Sequence, residues 1–427
     1  MIARTLGANL AIQAITFVTS VLIARILGPT GRGELALVLL YPQLAAGIAL
    51  LGVDRAMAVL GGRGDLNRPV ATVVKLALLL SIPAMAAGYA VVNWRVGDAR
   101  LAQLATIYLA YVPAVYFYSL TVFLFNGIGD FVRFNQIRVG FYIVNLALLL
   151  IIFAVVPVVP LNWVVSANLA SVYGALFLTV WHLRGLKLPR AQGAAAHKNE
   201  MRAVLCLAAA FALPVMLTHL SASAYQIVLA NRSSVELLGL FVVYFSYTRL
   251  LSPAGAAIGS HVFRSGIAQE KQEIAVVFRR SLLVFLVCAL PLWLLAGWLI
   301  PLVFGQEFVV AGSAVGLLFV SCLFSLSAEN LSEYLKGRQK VGADAGGLVI
   351  YLVILGILGW GLVPPLGLVG MALAMALGDI LRCLYLVSRV SRDTQQALSE
   401  FSKLTRRDLA ELLQAGKSVL LGLRVWR

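Results

Sequence analysis

The chain has 427 residues, of which 61% are hydrophobic and only 12% are charged, and its mean hydropathy is +0.92. Soluble domains do not have this balance, which is typical of a polytopic membrane protein. The net charge of +16 at pH 7 is also compatible with nucleic-acid binding. Because the charges lie between apolar segments, they indicate membrane topology instead, and no nucleic-acid partner is expected.

A membrane-spanning helix needs about 20 predominantly apolar residues, and twelve segments approach or exceed this length. These segments are 6–27, 35–53, 70–93, 101–126, 134–157, 163–183, 204–230, 237–263, 277–303, 309–334, 345–363 and 366–388. The sequence therefore predicts an all-α polytopic membrane protein with about twelve transmembrane helices.

The basic residues are distributed unevenly between the two sides of these segments. If the N-terminus is cytoplasmic, most of the 34 Lys and Arg residues lie in cytoplasmic connections and in the C-terminal tail. This excess is typical of cytoplasmic loops. We predict a multi-pass protein of the cell inner (cytoplasmic) membrane with both termini in the cytoplasm. Its basic segments are expected to contact anionic membrane lipids.

The first two predicted spans are joined by a short glycine-rich segment within VLIARILGPTGRGELALV, at 21–38. Gly28-Pro29 stops a helix, and Gly31 and Gly33 let the chain reverse, so a tight helical hairpin is predicted. A glycine-rich turn with an arginine can also cradle a phosphate. On chemistry alone, a turn between two spans is the simpler interpretation.

The first span carries a stripe of polar residues at intervals of four, three and four, which places them on one helix face. These residues are Asn9, Gln13, Thr16 and Ser20. In a membrane, such a face must meet other helices or a water-filled cavity. Helix packing and substrate binding remain alternatives, and Gln13 and Ser20 are the candidate substrate-binding residues. Arg25 lies off the stripe and is a lower-ranked candidate.

The chain contains a weak internal repeat with a shift of 206 residues. The shift aligns Gly33 with Gly239, Gln13 with His219, and Ser20 with Gln226. The seventh span thus has a matching polar stripe, from which His219 and Gln226 are candidate substrate-binding residues.

Six spans per repeat give both repeats the same orientation in the membrane. We predict two pseudo-symmetric six-helix bundles, 1–183 and 204–389, around a central cavity. A cytoplasmic linker, 184–203, joins them, and a cytoplasmic amphipathic basic tail, 390–427, follows them.

Three sets of charged residues within or beside the predicted spans are candidates for a functional or structural role. Arg249 lies about 18 Å along the eighth span, close to the midplane, where an arginine costs on the order of 3 kcal/mol. A functional role is favoured over a structural bond to backbone carbonyls. Asp54 and Arg55 end the second span, either as an interfacial anchor or as part of the site. Asp379 and Arg382 are expected to pair structurally at i,i+3.

No metal or cofactor site is predicted. The four cysteines, Cys206, Cys288, Cys322 and Cys383, lie singly in different spans, and the histidines are scattered. Neither a disulfide framework nor a metal-binding spacing is present in this pattern.

The hairpin sequence LIARILGPTGRGELAL resembles the first hairpin of the oligosaccharide flippase branch of the multidrug/oligosaccharidyl-lipid/polysaccharide exporter superfamily. Segments 233–239, 299–312 and 364–370 are similar to later motifs of these proteins, in the same order. TRLLSPAGAAIGSHVFRS in the eighth span also resembles the corresponding helix of the lipid II flippase. That resemblance implies that Arg249 faces a central cavity and meets an anionic head group.

These features predict a non-enzymatic flippase that works by alternating access. Its cargo would be a polyprenyl-diphosphate-linked oligosaccharide for cell-surface polysaccharide biosynthesis, and a polysaccharide polymerase or another export component is a candidate partner. Arg249 would bind the diphosphate, with Arg25 and Arg55 as helpers, and Asp54 and the two polar stripes would complete the substrate site.

Two alternatives remain. A cation-coupled multidrug exporter of the same superfamily is disfavoured because the first span contains no Asp or Glu. A polysaccharide polymerase or glycosyltransferase is the least favoured class, because the predicted external turns are short and contain few acidic residues.

Overall fold

The structure is a computed structural model that describes residues 2–402, except 65, 67–68, 185–199, 254, 256–257, 260–261, 263–273 and 339. The side chains of residues 2–4 and 6 are also excluded. Residues 185–199 of the predicted linker and 403–427 of the predicted tail therefore lie outside the described part of the chain.

The described part is α-helical, which confirms the predicted fold class. Its helices are α1 (Ile2–Ala49), α2 (Val53–Arg63), α3 (Pro69–Arg95), α4 (Ala99–Tyr108), α5 (Tyr111–Gly127), α6 (Phe131–Val155), α7 (Leu161–Arg184), α8 (Glu200–Arg232), α9 (Val235–Thr248), α10 (Ile274–Phe304), α11 (Gly312–Gly337), α12 (Val341–Thr394) and α13 (Leu398–Ser402).

Nine helical segments of the described part are long and apolar enough to cross a membrane. Two of them, α1 and α12, each contain one residue with non-helical backbone angles, Gly28 with φ 65° and Gly367 with φ 55°. Both φ values lie in the region that favours glycine, so each long helix is really two helices meeting at a single residue. With these counted separately and α9 added, the described helices agree with the predicted number of about twelve.

Two predicted spans are interrupted, and a proline explains each interruption. Pro113 lacks the amide N–H that would bond the carbonyl of Leu109, and that carbonyl accepts the Val112 N–H at 3.0 Å instead. The span therefore divides into α4 and α5. Pro253 has the same effect on Arg249, whose carbonyl accepts the N–H of Ser252 in a 3₁₀ turn.

The chain divides into two compact units. The first comprises Met1–Tyr247 with Ile300–Val309, and the second comprises Thr248–Leu299 with Val310–Arg427. This boundary differs from the predicted linker because α8 and α9 pack with the N-terminal helices. The organisation into six-helix bundles stays a prediction.

The first unit has two main apolar cores. One joins α2, α3 and α5, with Met57, Leu76 and Leu120 fully buried. The other joins α1, α4 and α7 around Leu35 and Tyr108. The helices whose polar faces meet between these cores provide the walls of the cavity described below.

The second unit contains α11, α12 and most of α10, and its deep charges pair differently from the predicted pattern. Arg382 Nη2 lies 3.6 Å from Asp344 Oδ1, while Asp379 Oδ2 accepts a 2.6 Å hydrogen bond from Ser321 Oγ. The predicted i,i+3 pair of Asp379 and Arg382 is therefore wrong. The partner that Arg382 finds is far away in sequence because α12 reverses at Gly367.

Candidate functional site

A cavity of about 620 Å³ lies within the first unit, between α1 and helices α4 to α9. Its polar lining residues are Thr16, Thr19, Ser20, Arg32, Gln43, Tyr108, Tyr111, Tyr116, Ser119, Tyr142, Asn145, Asn168, His219, Ser223, Gln226 and Ser246. The lining drawn from the described residues contains an arginine and a histidine but no Asp or Glu.

Both arms of the α1 hairpin contribute residues to the cavity lining. Ser20 and Arg32 are twelve residues apart, which corresponds to about 18 Å in a straight helix. In the structure, Arg32 Nη2 donates to Ser20 Oγ at 3.4 Å, because the chain reverses at Gly28. Ser20 in turn donates to Ser246 Oγ of α9 at 3.3 Å. The turn therefore brings a cation to one end of the polar stripe.

Arg32 is the main charged group of the cavity lining. Its Nε is buried and has no hydrogen-bond partner, and no carboxylate of the described residues forms an ion pair with it. The Arg32 side chain is half-buried, and a buried donor without a partner, such as its Nε, is costly because it loses its hydration. The neighbouring N–H groups of a guanidinium can hold a carboxylate or phosphate in a two-pronged arrangement. The site is therefore suited to an anionic group.

Tyrosines of α4 and α5 form another part of the lining. The rings of Tyr108 and Tyr111 stack at 5.1 Å between centroids, and Gln43 Nε2 lies 3.5 Å from the Tyr108 hydroxyl. Tyr116 donates its hydroxyl proton to the carbonyl of Ala46 at 2.9 Å. Aromatic rings with polar edges give a flat surface that combines apolar contact with hydrogen bonding.

An amide cluster closes the side formed by α6 and α7. Asn145 Nδ2 donates to Asn168 Oδ1 at 3.2 Å and to Ser171 Oγ at 3.1 Å. Asn168 Nδ2 is held by the carbonyl of Val164 at 2.9 Å. These bonds fix the orientation of both amides, so that their remaining acceptor capacity is available to hydroxyl groups.

The polar stripe of α8 faces the same cavity. His219, Ser223 and Gln226 all belong to its lining. Gly47 of α1 allows this approach, because a Cβ at that position would lie 2.5 Å from the His219 ring. Ser20 and Gln226, which the internal repeat aligns, thus line one cavity.

The other residues selected from the sequence lie outside this lining. Gln13 is half-buried on the α1 stripe. Arg25 is exposed and donates to the carbonyls of Leu302 at 2.5 Å and Val303 at 2.8 Å, in the last turn of α10. This arrangement is typical of a cation that caps a helix C-terminus.

The Asp54–Arg55 pair starts α2. Asp54 is buried and its Oδ1 accepts the backbone N–H of Arg55 at 2.8 Å. The Arg55 guanidinium lies 4.6 Å from the centroid of the Phe123 ring. Arg249 belongs to the second unit, where it opens the 3₁₀ turn and is exposed.

Sequence reasoning did not select Arg32, the tyrosines or the two asparagines. A signal for Arg32 was present, since a glycine-rich turn with an arginine is compatible with phosphate binding. The local pattern is equally compatible with a turn at the membrane surface, and only the reversal of α1 shows that Arg32 faces inward. Among the described residues, no group of three or more His, Cys, Asp or Glu residues could hold a metal ion.

No protein-family model and no curated protein matches the sequence. Solved structures do match the fold. A multidrug resistance MATE family transporter of the MOP superfamily, in an inward-facing conformation, gives a TM-score of 0.69 at 18% identity, covering 90% of this chain and 96% of that chain. Lipid II flippase MurJ, in an inward closed conformation, gives a TM-score of 0.71 at 12% identity, covering 96% of this chain and 92% of that chain.

The eukaryotic MATE transporter AtDTX14 gives a TM-score of 0.64 at 14% identity, covering 93% of this chain and 98% of that chain. At these identities the likeness shows the fold, which is that of the MATE and MurJ transporters. The resemblance noticed in the sequence is thereby confirmed at the level of fold.

Proposed function

We propose that the protein is a flippase that moves a polyprenyl-diphosphate-linked oligosaccharide across the cytoplasmic membrane. The observation that carries the proposal is the cavity of the first unit, in which Arg32 Nε has no hydrogen-bond partner and no described residue of the lining is an Asp or Glu. A diphosphate is the kind of group that such an arginine binds.

The remaining lining supports a sugar as the second part of the cargo. Hydroxyl, amide and aromatic side chains surround Arg32, and these groups hydrogen-bond to sugars and stack on them. The volume of about 620 Å³ lies in the range of about 300–1,000 Å³ that is usual for sites binding compact organic ligands. A head group of a few sugars is therefore a better fit than a long polymer.

The rival transport function is cation-coupled drug export, which the same fold also supports. A site that binds cations is expected to contain a membrane-embedded acidic group. The described lining residues of this cavity include no Asp or Glu, which favours an anionic cargo. The similar solved structures are transporters, which also favours transport over catalysis.

The direct test is lipid flipping in proteoliposomes that contain the purified protein and a fluorescent short-chain polyprenyl-diphosphate disaccharide. Arg32→Gln should reduce the flipping rate about tenfold or more, because it removes a charge-assisted hydrogen bond worth roughly 1.5–3 kcal/mol. Arg32→Lys should retain part of the rate, since it keeps the charge but not the planar fork.

Arg100→Gln is the matched control. Arg100 belongs to the same unit, is largely exposed and pairs with Glu34 at 2.5 Å, so its loss should leave flipping close to the wild-type rate. If wild-type protein moves no lipid-linked sugar but accumulates a cationic dye in response to a proton or sodium gradient, the drug-exporter alternative is correct.

A further inference from the structure

A second arginine of the first unit lies beyond the cavity lining, on the same face of α6. Arg138, Tyr142 and Asn145 are spaced by four and three residues, which places them on one side of the helix. Tyr142 and Asn145 line the cavity. Arg138 comes one turn earlier, and its Nη2 donates to Asn9 Oδ1, at the start of the polar stripe of α1, at 3.1 Å.

No described residue provides a counter-ion for Arg138. The side chain is half-buried, and its guanidinium lies 4.8 Å from the centroid of the Phe134 ring. Within the described residues, the guanidinium donates a hydrogen bond to the amide oxygen of Asn9, and no carboxylate forms an ion pair with it. By contrast, Arg133 on the same helix pairs with Asp130 at 3.5 Å.

Arg138 and Arg32 mark opposite ends of one polar stripe. Arg138 bonds Asn9 and Arg32 bonds Ser20, and eleven residues of helix separate these partners. At a rise of 1.5 Å per residue, the separation along α1 is about 16 Å, roughly half the thickness of the hydrocarbon core. A single diphosphate group is too short to contact both arginines, so they would be separate binding sites.

We propose that Arg138 is a second anion-binding site, which holds the diphosphate of the lipid-linked cargo before it reaches Arg32. The inference rests on the proposed function and refines it by assigning two successive positions to one group. If the N-terminus is cytoplasmic, as predicted, Arg138 lies nearer to the cytoplasmic side than Arg32. The amide and hydroxyl side chains between the two arginines then hydrogen-bond to the head group as it moves from one to the other. A phospholipid head group has related chemistry, and the experiment separates the two ligands.

The experiment measures binding of geranyl diphosphate, as a soluble probe, to the full chain in nanodiscs of phosphatidylcholine. Isothermal titration should give two sites for the wild type and one for either Arg138→Gln or Arg32→Gln. Affinity at the altered position should fall about tenfold or more, as expected for the loss of a charge-assisted contact. Arg138→Lys should bind with intermediate affinity, and Arg133→Gln, the matched control on α6, should bind like the wild type.

Salt dependence gives a readout that a packing role would not change. Anion binding by a partly solvent-accessible cation such as Arg138 weakens with ionic strength, so the salt dependence should be shallower in Arg138→Gln than in Arg133→Gln. Two full sites in Arg138→Gln would overturn the Arg138 site, and the proposed function would stand if Arg32→Gln still lost a site. No binding by the wild type would overturn both.

A further arm adds phosphatidylglycerol to the nanodiscs. If this lipid displaces geranyl diphosphate from the wild type but has no effect on Arg138→Gln, Arg138 binds membrane phospholipid and the cargo assignment is wrong. If the two wild-type sites remain with unchanged affinity, the diphosphate assignment holds.

Discussion

Gly33 of α1 and Gly239 of α9 lie backbone against backbone. A Cβ on Gly33 would fall 1.8 Å from the carbonyl oxygen of Val235, and one on Gly239 would fall 1.9 Å from that of Pro29. The 206-residue shift that aligns the two glycines also aligns Pro29 with Val235. The contact is therefore reciprocal, as in a twofold interface, and its closeness requires a residue without a side chain at both positions.

The first prediction concerns this contact. Gly33→Ala should separate the α1 turn from α9, because the obstructing atom is a backbone oxygen that no rotamer change can move. In a cysteine-free background, Leu238→Cys, at a fully buried position, should then react with a water-soluble maleimide several-fold faster. Gly97→Ala is the matched control, since a Cβ there meets no atom of the described residues within 4 Å. Equal labelling rates in the two alanine variants would contradict the interpretation.

The second prediction concerns Arg249, the arginine that the sequence places close to the membrane midplane and ranks first for diphosphate binding. If it binds the diphosphate, Arg249→Ala should abolish glycan export per molecule of membrane-inserted protein, and Arg249→Lys should retain part of it. A purely structural arginine would instead lower the amount of protein and leave the normalised export unchanged. Immunoblotting of washed membranes provides the normalisation.

The third prediction concerns the buried ion pair of the second unit. Asp344 lies 3.5 Å from Lys336 as well as 3.6 Å from Arg382, whereas Arg382 has Asp344 as its ion-pair partner among the described residues. Asp344→Asn should therefore destabilise the protein by about 3 kcal/mol, and Arg382→Met by less, because only the former strands a buried cation. Thermal unfolding of the purified protein would rank the two variants.

The exposed pair of Lys336 and Glu333 provides the control for that measurement. Glu333→Gln should change stability by less than about 1 kcal/mol, because both side chains are about one-third exposed and screened by solvent. A loss in this variant equal to that in Asp344→Asn would refute the ranking by burial.

The fourth prediction concerns orientation. Cysteines placed in the connection 184–202 and near the C-terminus of an otherwise cysteine-free protein should be modified only from the cytoplasmic side. The physical basis is the excess of Lys and Arg in the predicted cytoplasmic segments. Modification of either position by an impermeant reagent added to intact cells would show that the predicted topology is wrong.

Local sequence signals were sufficient for the fold class and for the first hairpin. Long apolar segments mark the spans, and Gly28-Pro29 marks the first turn, because these signals act over neighbouring residues. The reversal at Gly367 lies inside the predicted span 366–388. Pro113 likewise marks a break through the amide N–H that it lacks. The 3₁₀ turn at Arg249 was equally predictable from Pro253, and it divides a span that hydropathy alone presents as continuous.

The site was predictable only where a stripe follows one helix. Ser20, His219 and Gln226 line the cavity, as their helical spacing allows. Arg32 and Arg382 have surroundings that depend on chain reversals, which bring a residue beside partners that are distant in sequence. The i,i+3 spacing rule therefore predicted the wrong partner for Arg382. The sequence around Arg32 likewise does not indicate that its side chain faces the cavity.

The single-residue reversal at Gly28 determines how the α1 turn responds to proteolysis and to the insertion of an epitope. Proteases and inserted epitopes need an exposed loop tip, with several residues that can extend away from the fold. Helical structure continues on both sides of Gly28, so such a loop is missing from the described part of α1. We expect limited proteolysis to spare this turn and an epitope inserted there to disrupt folding. The extended segment between α6 and α7 is the better insertion point in the first unit.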